Sequence, residues 1–132
     1  AGDKHKIVYP DLRFTLEEWR AGRLPHWNPH NFAGLPHAAN PLTGAWYPPN
    51  LLFLIGDPLR MFAFVHALHA ALAAWFSFLY LRAIGTGRGA ACLGGAAFAL
   101  CGWMTAHAHL IYFVHTLVWL PLAMASAAWV NL

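Results

Sequence analysis

Nine histidines, five acids and eight lysines or arginines are the side chains of this 132-residue chain that could move a proton, hold a phosphate or ligate a metal. They are unevenly spread. All five acids (Asp3, Asp11, Glu17, Glu18 and Asp57) precede residue 58, and beyond Arg60 only Arg82 and Arg88 carry a formal charge. His26, His30 and His37 recur at spacings of four and seven in a proline-rich loop. Without a helix that spacing fixes no ligand geometry, and no cysteine or acid adjoins it. Metal ligation, loop hydrogen bonding and substrate contact are therefore all open for these three. His66 and His69 share one helical face in an apolar run, where packing with a hydrogen bond competes with ligation of a haem or pigment. His107, His109 and His115 lie at or near a polar turn. Arg20, Arg23 and Arg60 match phosphate oxygens bidentately, or lipid headgroups equally well. Asp11 follows Pro10 and reads as a helix N-cap, with acid–base chemistry as the competing reading. The chain has no glycine-rich phosphate loop, no Ser-His-Asp order and no cysteine-based metal spacing.

The elements that must position these groups are largely apolar. Hydrophobic residues make up 59% and charged residues 10% of the chain, against roughly 25% charged in ordinary globular proteins. The net charge of +3 is not gathered into a stripe, which excludes a nucleic-acid footprint. Residues 61–81 hold no formal charge and as a helix reach roughly 30 Å, the thickness of a bilayer's hydrocarbon. Asp57-Pro58 starts this helix; Arg82 and the glycine-rich 85–89 end it. From Ala90 to Leu132 there is again no charge, but one helix of that length would span about 60 Å. A break is expected at the polar 105–109. The first half carries Gly94, Gly95, Ala96, Ala97, Ala99 and Gly102, small residues that permit close helix contact in lipid. Pro121 should kink the second half. Cys92 and Cys101, both in apolar sequence, read as buried thiols.

The expected fold is thus an all-α membrane protein, with transmembrane helices at about 61–82, 90–105 and 111–131 and a region 1–60 outside the membrane. The short connection 82–89 carries two arginines and no acid, which places it in the cytoplasm and residues 1–60 on the opposite, external side. The chain starts with Ala and ends inside an apolar pattern, so it reads as a piece of a longer protein. Within 1–60, Leu12, Leu16 and Trp19 recur at helical spacing and predict an amphipathic helix at about 11–21. Arg13 and Glu17 can pair across one turn, and Gly22 and Pro25 stop the helix. It suits either the membrane surface or packing on the loop that follows. In that loop prolines fix φ, Gly34 and Gly44 permit tight turns, and asparagines can bond local backbone. Trp19, Trp27, Trp46 and Tyr47 suit an interfacial aromatic belt.

These motifs together resemble a family. Gly2-Asp3, Tyr9-Pro10, Arg20-Ala21-Gly22, Leu24-Pro25, Trp27-Asn28-Pro29, Gly34-Leu35-Pro36, Ala39-Asn40-Pro41 and Tyr47-Pro48-Pro49-Asn50 are similar to the first external loop of YfhO-type bacterial membrane proteins. Those in turn resemble glycosyltransferases of the GT-C architecture. The later AACLGGAAFALCGWMTAH and VWLPLAMA also resemble the family's next two membrane segments. His26 departs from the small aliphatic residue expected there, and Lys4-His5-Lys6 is more basic than expected.

The resemblance implies a partial GT-C-like bundle, an N-terminal fragment of a multi-pass protein of the bacterial inner membrane, completed by the missing remainder of its own chain. The activity implied is transfer of a sugar from a polyprenyl-phosphate donor to an acceptor hydroxyl on the external face. Asp3 matches the position of the general base. Arg20, Arg23, Trp27, Asn28, His30, Tyr47, His107 and His109 are the implied substrate contacts. The cofactor is open; GT-C enzymes can use a divalent metal ion. The competing expectation is a non-enzymatic integral membrane subunit, a scaffold or a pigment- or haem-binding protein.

Overall fold

Asp57 starts the longest helix by the chemistry its sequence announces. Its carboxylate accepts the Arg60 amide at 3.1 Å, and its carbonyl accepts the Met61 amide at 2.9 Å. Pro58 fills the first helical position, where a missing N–H costs nothing. The computed structural model describes residues 8–31, 33–107 and 111–130. Among them the elements are α-helices joined by short 3-10 turns, and there is no strand, only an isolated antiparallel bridge between Asn28 and Leu35. The α-helices are α1 (Tyr9–Arg20), α2 (Pro58–Ala83), α3 (Arg88–Ala99), α4 (Gly102–Ala106), α5 (Ile111–Val118) and α6 (Leu120–Val130). Two compact units divide the chain, at residues 1–65 and 66–132.

Three stretches are long and apolar enough to cross a membrane: Arg60–Ala83, Arg88–Ala106 and Tyr112–Val130. The chain is therefore an all-α protein with three helices of membrane-spanning length, at nearly the positions its hydropathy predicts. The second and third are not straight. Cys101 is extended (φ −62°, ψ 154°) and parts α3 from α4, a break the sequence reading did not place. Trp119 parts α5 from α6 two residues before Pro121. There the Trp119 amide donates to the Thr116 carbonyl at 3.3 Å, a tightened turn. A proline can neither donate an N–H nor tolerate the preceding turn's carbonyl, which accounts for this interruption just before Pro121.

The glycine-rich 85–89 stops α2 as a left-handed cap. Gly85 takes φ +87°, its amide reaches the Arg82 carbonyl at 3.1 Å, and the Thr86 amide reaches the Leu81 carbonyl at 3.0 Å. In the 66–132 unit, α2 and α3 meet at glycine. A Cβ on Gly95 would lie 2.5 Å from the Ala74 carbonyl oxygen, so two backbones are in direct contact. A Cβ on Gly94 would meet only the tip of Leu81. Around this contact Ala73, Phe76, Ala99, Met104, Val114 and Val118 form the core. Cys92 corrects an expectation: it is exposed, and Cys101 is half-buried. Cys92 lies beside Trp75, Phe78 and Ala96 in an open apolar recess, on the outward side of α3.

In the 1–65 unit, α1 buries Leu12, Phe14, Thr15 and Leu16. It packs on the 3-10 turns Pro41–Thr43 and Pro48–Leu54. The face that suited a membrane surface is thus covered by the loop instead. Leu12, Leu16 and Phe53 are essentially inaccessible, and Phe53 meets Phe62 edge to face with centroids 5.3 Å apart. Apolar burial of this kind contributes about 1.5–3 kcal/mol per large side chain.

Candidate functional site

The loop that follows α1 is built by asparagine and glycine at the positions the motifs mark. The helix ends in a left-handed cap: Gly22 has φ +69°, its amide bonds the Trp19 carbonyl at 3.0 Å, and the Arg23 amide bonds the Glu18 carbonyl at 2.9 Å. Asn28 is buried. Its side-chain oxygen accepts the His30 amide at 2.9 Å, and its backbone exchanges two 2.9 Å bonds with Leu35. Asn40 accepts the Leu42 amide at 3.0 Å and so opens the next turn. Asn50 donates to the Gly44 carbonyl at 2.9 Å, and Gly44 takes φ +62°. Gly34, at φ +107°, lies under the indole of Trp27; a Cβ there would fall 2.5 Å from the ring. Each asparagine replaces a backbone partner that an irregular loop lacks.

His37 ties this frame to α1. It is buried, with Nε2 2.8 Å from the Thr15 hydroxyl and its ring edge-on to Phe14 at 4.9 Å. Thr15 also reaches the Asp11 carbonyl at 3.0 Å. A hydroxyl has one proton; given to Asp11, it leaves the Thr15 oxygen to accept from His37 Nε2–H. Burial pushes the His37 imidazole below its ordinary 6.5, and the nearby Asp11 charge opposes that in part.

A groove of about 300 Å³ runs between α1 and the loop, lined by Arg13, Phe14, Glu17, Asn28, His30 and Asn31. Arg13 pairs with Glu17 at 2.7 Å, as the sequence spacing predicts. Asp11 is not the N-cap. The helix starts earlier, at Tyr9, with Pro10 in its first turn, and the Asp11 carboxylate instead accepts from the Asn31 side-chain Nδ2–H at 3.0 Å. The groove thus offers a guanidinium–carboxylate pair, an amide and an imidazole beside an aromatic ring. Such a set can hydrogen-bond hydroxyl groups.

Of the residues singled out in sequence, Asn28 and His30 line this groove. Arg23 does not; its guanidinium grips Glu18 through two bonds of 2.6 and 2.9 Å. That pair holds the Glu18 carboxyl below its usual range, the hydrogen bond from Arg23 being the larger cause. Arg20 is exposed and forms no ion pair among the described residues. Trp27 lies over Gly34, and Tyr47 heads the turn that holds Asn50. Asp3 and His109 lie outside the described residues. His107 closes α4, its Nδ1–H donating to the Trp103 carbonyl at 2.9 Å while its ring stacks on the indole at 4.5 Å. His115 lies one turn into α5 and is buried, its ring stacked on His69 with centroids 3.7 Å apart. Sequence reasoning missed this pair and the His37–Thr15 pair, because neither spacing signals a contact between different elements. Among the described residues no group of three or more His, Cys, Asp or Glu could hold a metal ion.

Compared with protein-family models, curated proteins and solved structures, the chain matches none.

Proposed function

We propose that this chain is part of a GT-C-like membrane glycosyltransferase of the YfhO type, transferring a sugar from a polyprenyl-phosphate donor to an acceptor hydroxyl outside the cytoplasm. One observation carries the reading. The residues that make the resemblance, Gly22, Asn28, Gly34, Asn40, Gly44 and Asn50, are those that cap, bridge and turn the loop frame. A motif that specifies an ordered loop frame just before the first spanning stretch supports a site held by that frame.

In this reading Asp3 takes the acceptor hydroxyl proton. The freed oxygen attacks the anomeric carbon, the bond to the phosphate oxygen breaks, and polyprenyl phosphate leaves. A carboxylate serves as such a base where partial desolvation brings it toward the working range. Arg20 is the arginine of the helix end best available to the leaving phosphate, since Arg23 is engaged with Glu18. Asn28 and His30 contact sugar hydroxyls from the groove, and His107 lies with the second external turn. The connection bearing Arg82 and Arg88 faces the cytoplasm of a bacterial inner membrane, and residues 1–60 face outward. Glycan analysis of cells carrying Asp3→Asn in the full-length protein tests this: loss of product is expected, and unchanged product removes Asp3 as base.

The competing reading, a non-enzymatic membrane subunit such as a scaffold or a haem- or pigment-binding protein, draws no support from the buried His69–His115 pair, whose rings stack on each other at 3.7 Å. The absorption spectrum of the purified chain decides its haem or pigment form; a spectrum without a chromophore band removes that form.

A further inference from the structure

Residues 24–56 contain no Asp, Glu, Lys or Arg. A water-facing surface of that extent ordinarily carries charges of both signs. Here it carries large apolar side chains. Leu24, Trp27, Leu42, Trp46, Leu51 and Ile55 are each at least half exposed, Ile55 at 78%. In contrast, α1 of the same unit exposes Arg13, Glu17 and Arg20.

The polar groups of this loop surface are arranged for a partly dry neighbour. The Trp46 indole N–H is spent internally, on the Ala38 carbonyl at 2.8 Å. The Ala38 amide in turn donates to the His26 carbonyl at 3.3 Å, next to Trp27, whose ring covers Gly34. Trp27 and Trp46 thus flank one stretch of backbone, 34–38. The exposed Pro36, Pro41 and Pro48 bring no N–H that would need a partner. Ile55 lies five residues before Arg60, where the first spanning stretch begins. A chain of that length reaches at most roughly 17 Å. Ile55 therefore lies within that distance of the first spanning stretch.

We infer that the tryptophan-bearing side of residues 24–56 is bedded in the lipid headgroup layer, with the charged side of α1 turned to water. Indole rings, that of Trp46 with its N–H satisfied, prolines and scattered leucines, without charge, fit the interface between headgroups and acyl chains. Scattered apolar side chains of this kind need no shaped partner. The inference does not depend on any catalytic role for the chain.

The test uses the 132-residue chain in nanodiscs of phosphatidylethanolamine and phosphatidylglycerol, with Cys92→Ala and Cys101→Ala. Single nitroxide labels are placed at Leu42→Cys, Leu51→Cys and Ile55→Cys, and at Glu17→Cys as the water-facing reference. Accessibility to oxygen and to a water-soluble nickel complex is read by electron paramagnetic resonance. The three loop sites are expected to show an oxygen-to-nickel ratio several-fold above that at Glu17. A ratio equal to that at Glu17 at all three sites overturns the inference. Low accessibility to both reagents also overturns it, because it means protein covers the surface. Three separate sites keep the outcome readable if one variant fails to fold.

Discussion

His37 Nε2 lies 2.8 Å from the Thr15 hydroxyl, the one side-chain hydrogen bond joining the middle of α1 to the turn at His37–Ala39 among the described residues. Removing one partner strands the other in a buried place. Thr15→Val is expected to destabilise the unit by about 1–3 kcal/mol, whereas pairing it with His37→Phe should cost less than the two single changes summed. Hydrogen exchange of the α1 amides measures both.

The same histidine makes this unit acid-sensitive. Its folded pKa lies below the ordinary 6.5 because burial disfavours the imidazolium. The unfolded chain therefore binds the proton more readily. The stability it supports is fully present above that ordinary value and is lost as pH falls below it. Protection of α1 amides, corrected for intrinsic exchange, should fall between pH 7.5 and pH 5, and His37→Phe should flatten that fall.

Among the described residues, three glycines of the 1–65 unit have positive φ but different surroundings, which predicts different tolerance. Gly22 has open space around it, so Gly22→Asn should cost only a few tenths of a kcal/mol. Gly34 has the Trp27 ring against it, so Gly34→Asn should cost about 1–3 kcal/mol and shift Trp27 emission. Trp27→Ala would relieve the clash but not the φ of +107°. Rescue by that second change should therefore be partial. Denaturation followed by fluorescence and circular dichroism separates these outcomes.

In the 66–132 unit, Gly95→Val should part α2 from α3 and cost about 1–3 kcal/mol, since backbone cannot move aside. Gly94→Ala meets a flexible leucine tip and should stay below about 1.5 kcal/mol. Denaturation in detergent by titrated dodecyl sulfate ranks the two.

Much of this fold was legible because its signals are local. Asp57-Pro58, the uncharged run after Arg60, the glycines after Arg82 and Pro121 each act within one or two turns of their own position. The Arg13–Glu17 pair and the Gly22 cap are local too. Asp11 misled because proline is tolerated inside a first helical turn, so the helix could begin before it. The break at Cys101 had no proline to announce it. His69 on His115 and His37 on Thr15 depend on which elements pack together, which no spacing within one element encodes. Cys92 misled for a related reason: apolar sequence in a spanning helix says that water is absent, not that protein is present.

The contrast between Gly94 and Gly95 also bears on how this chain can diverge. Gly94 faces a side chain, Leu81, so a larger residue at 94 can be matched by a smaller one at 81. Those two positions should covary in size among related chains. Gly95 faces the Ala74 carbonyl oxygen, which no substitution at 74 removes. Position 95 should therefore stay glycine with no compensating partner, an invariance that a future alignment would show as a column silent in covariation.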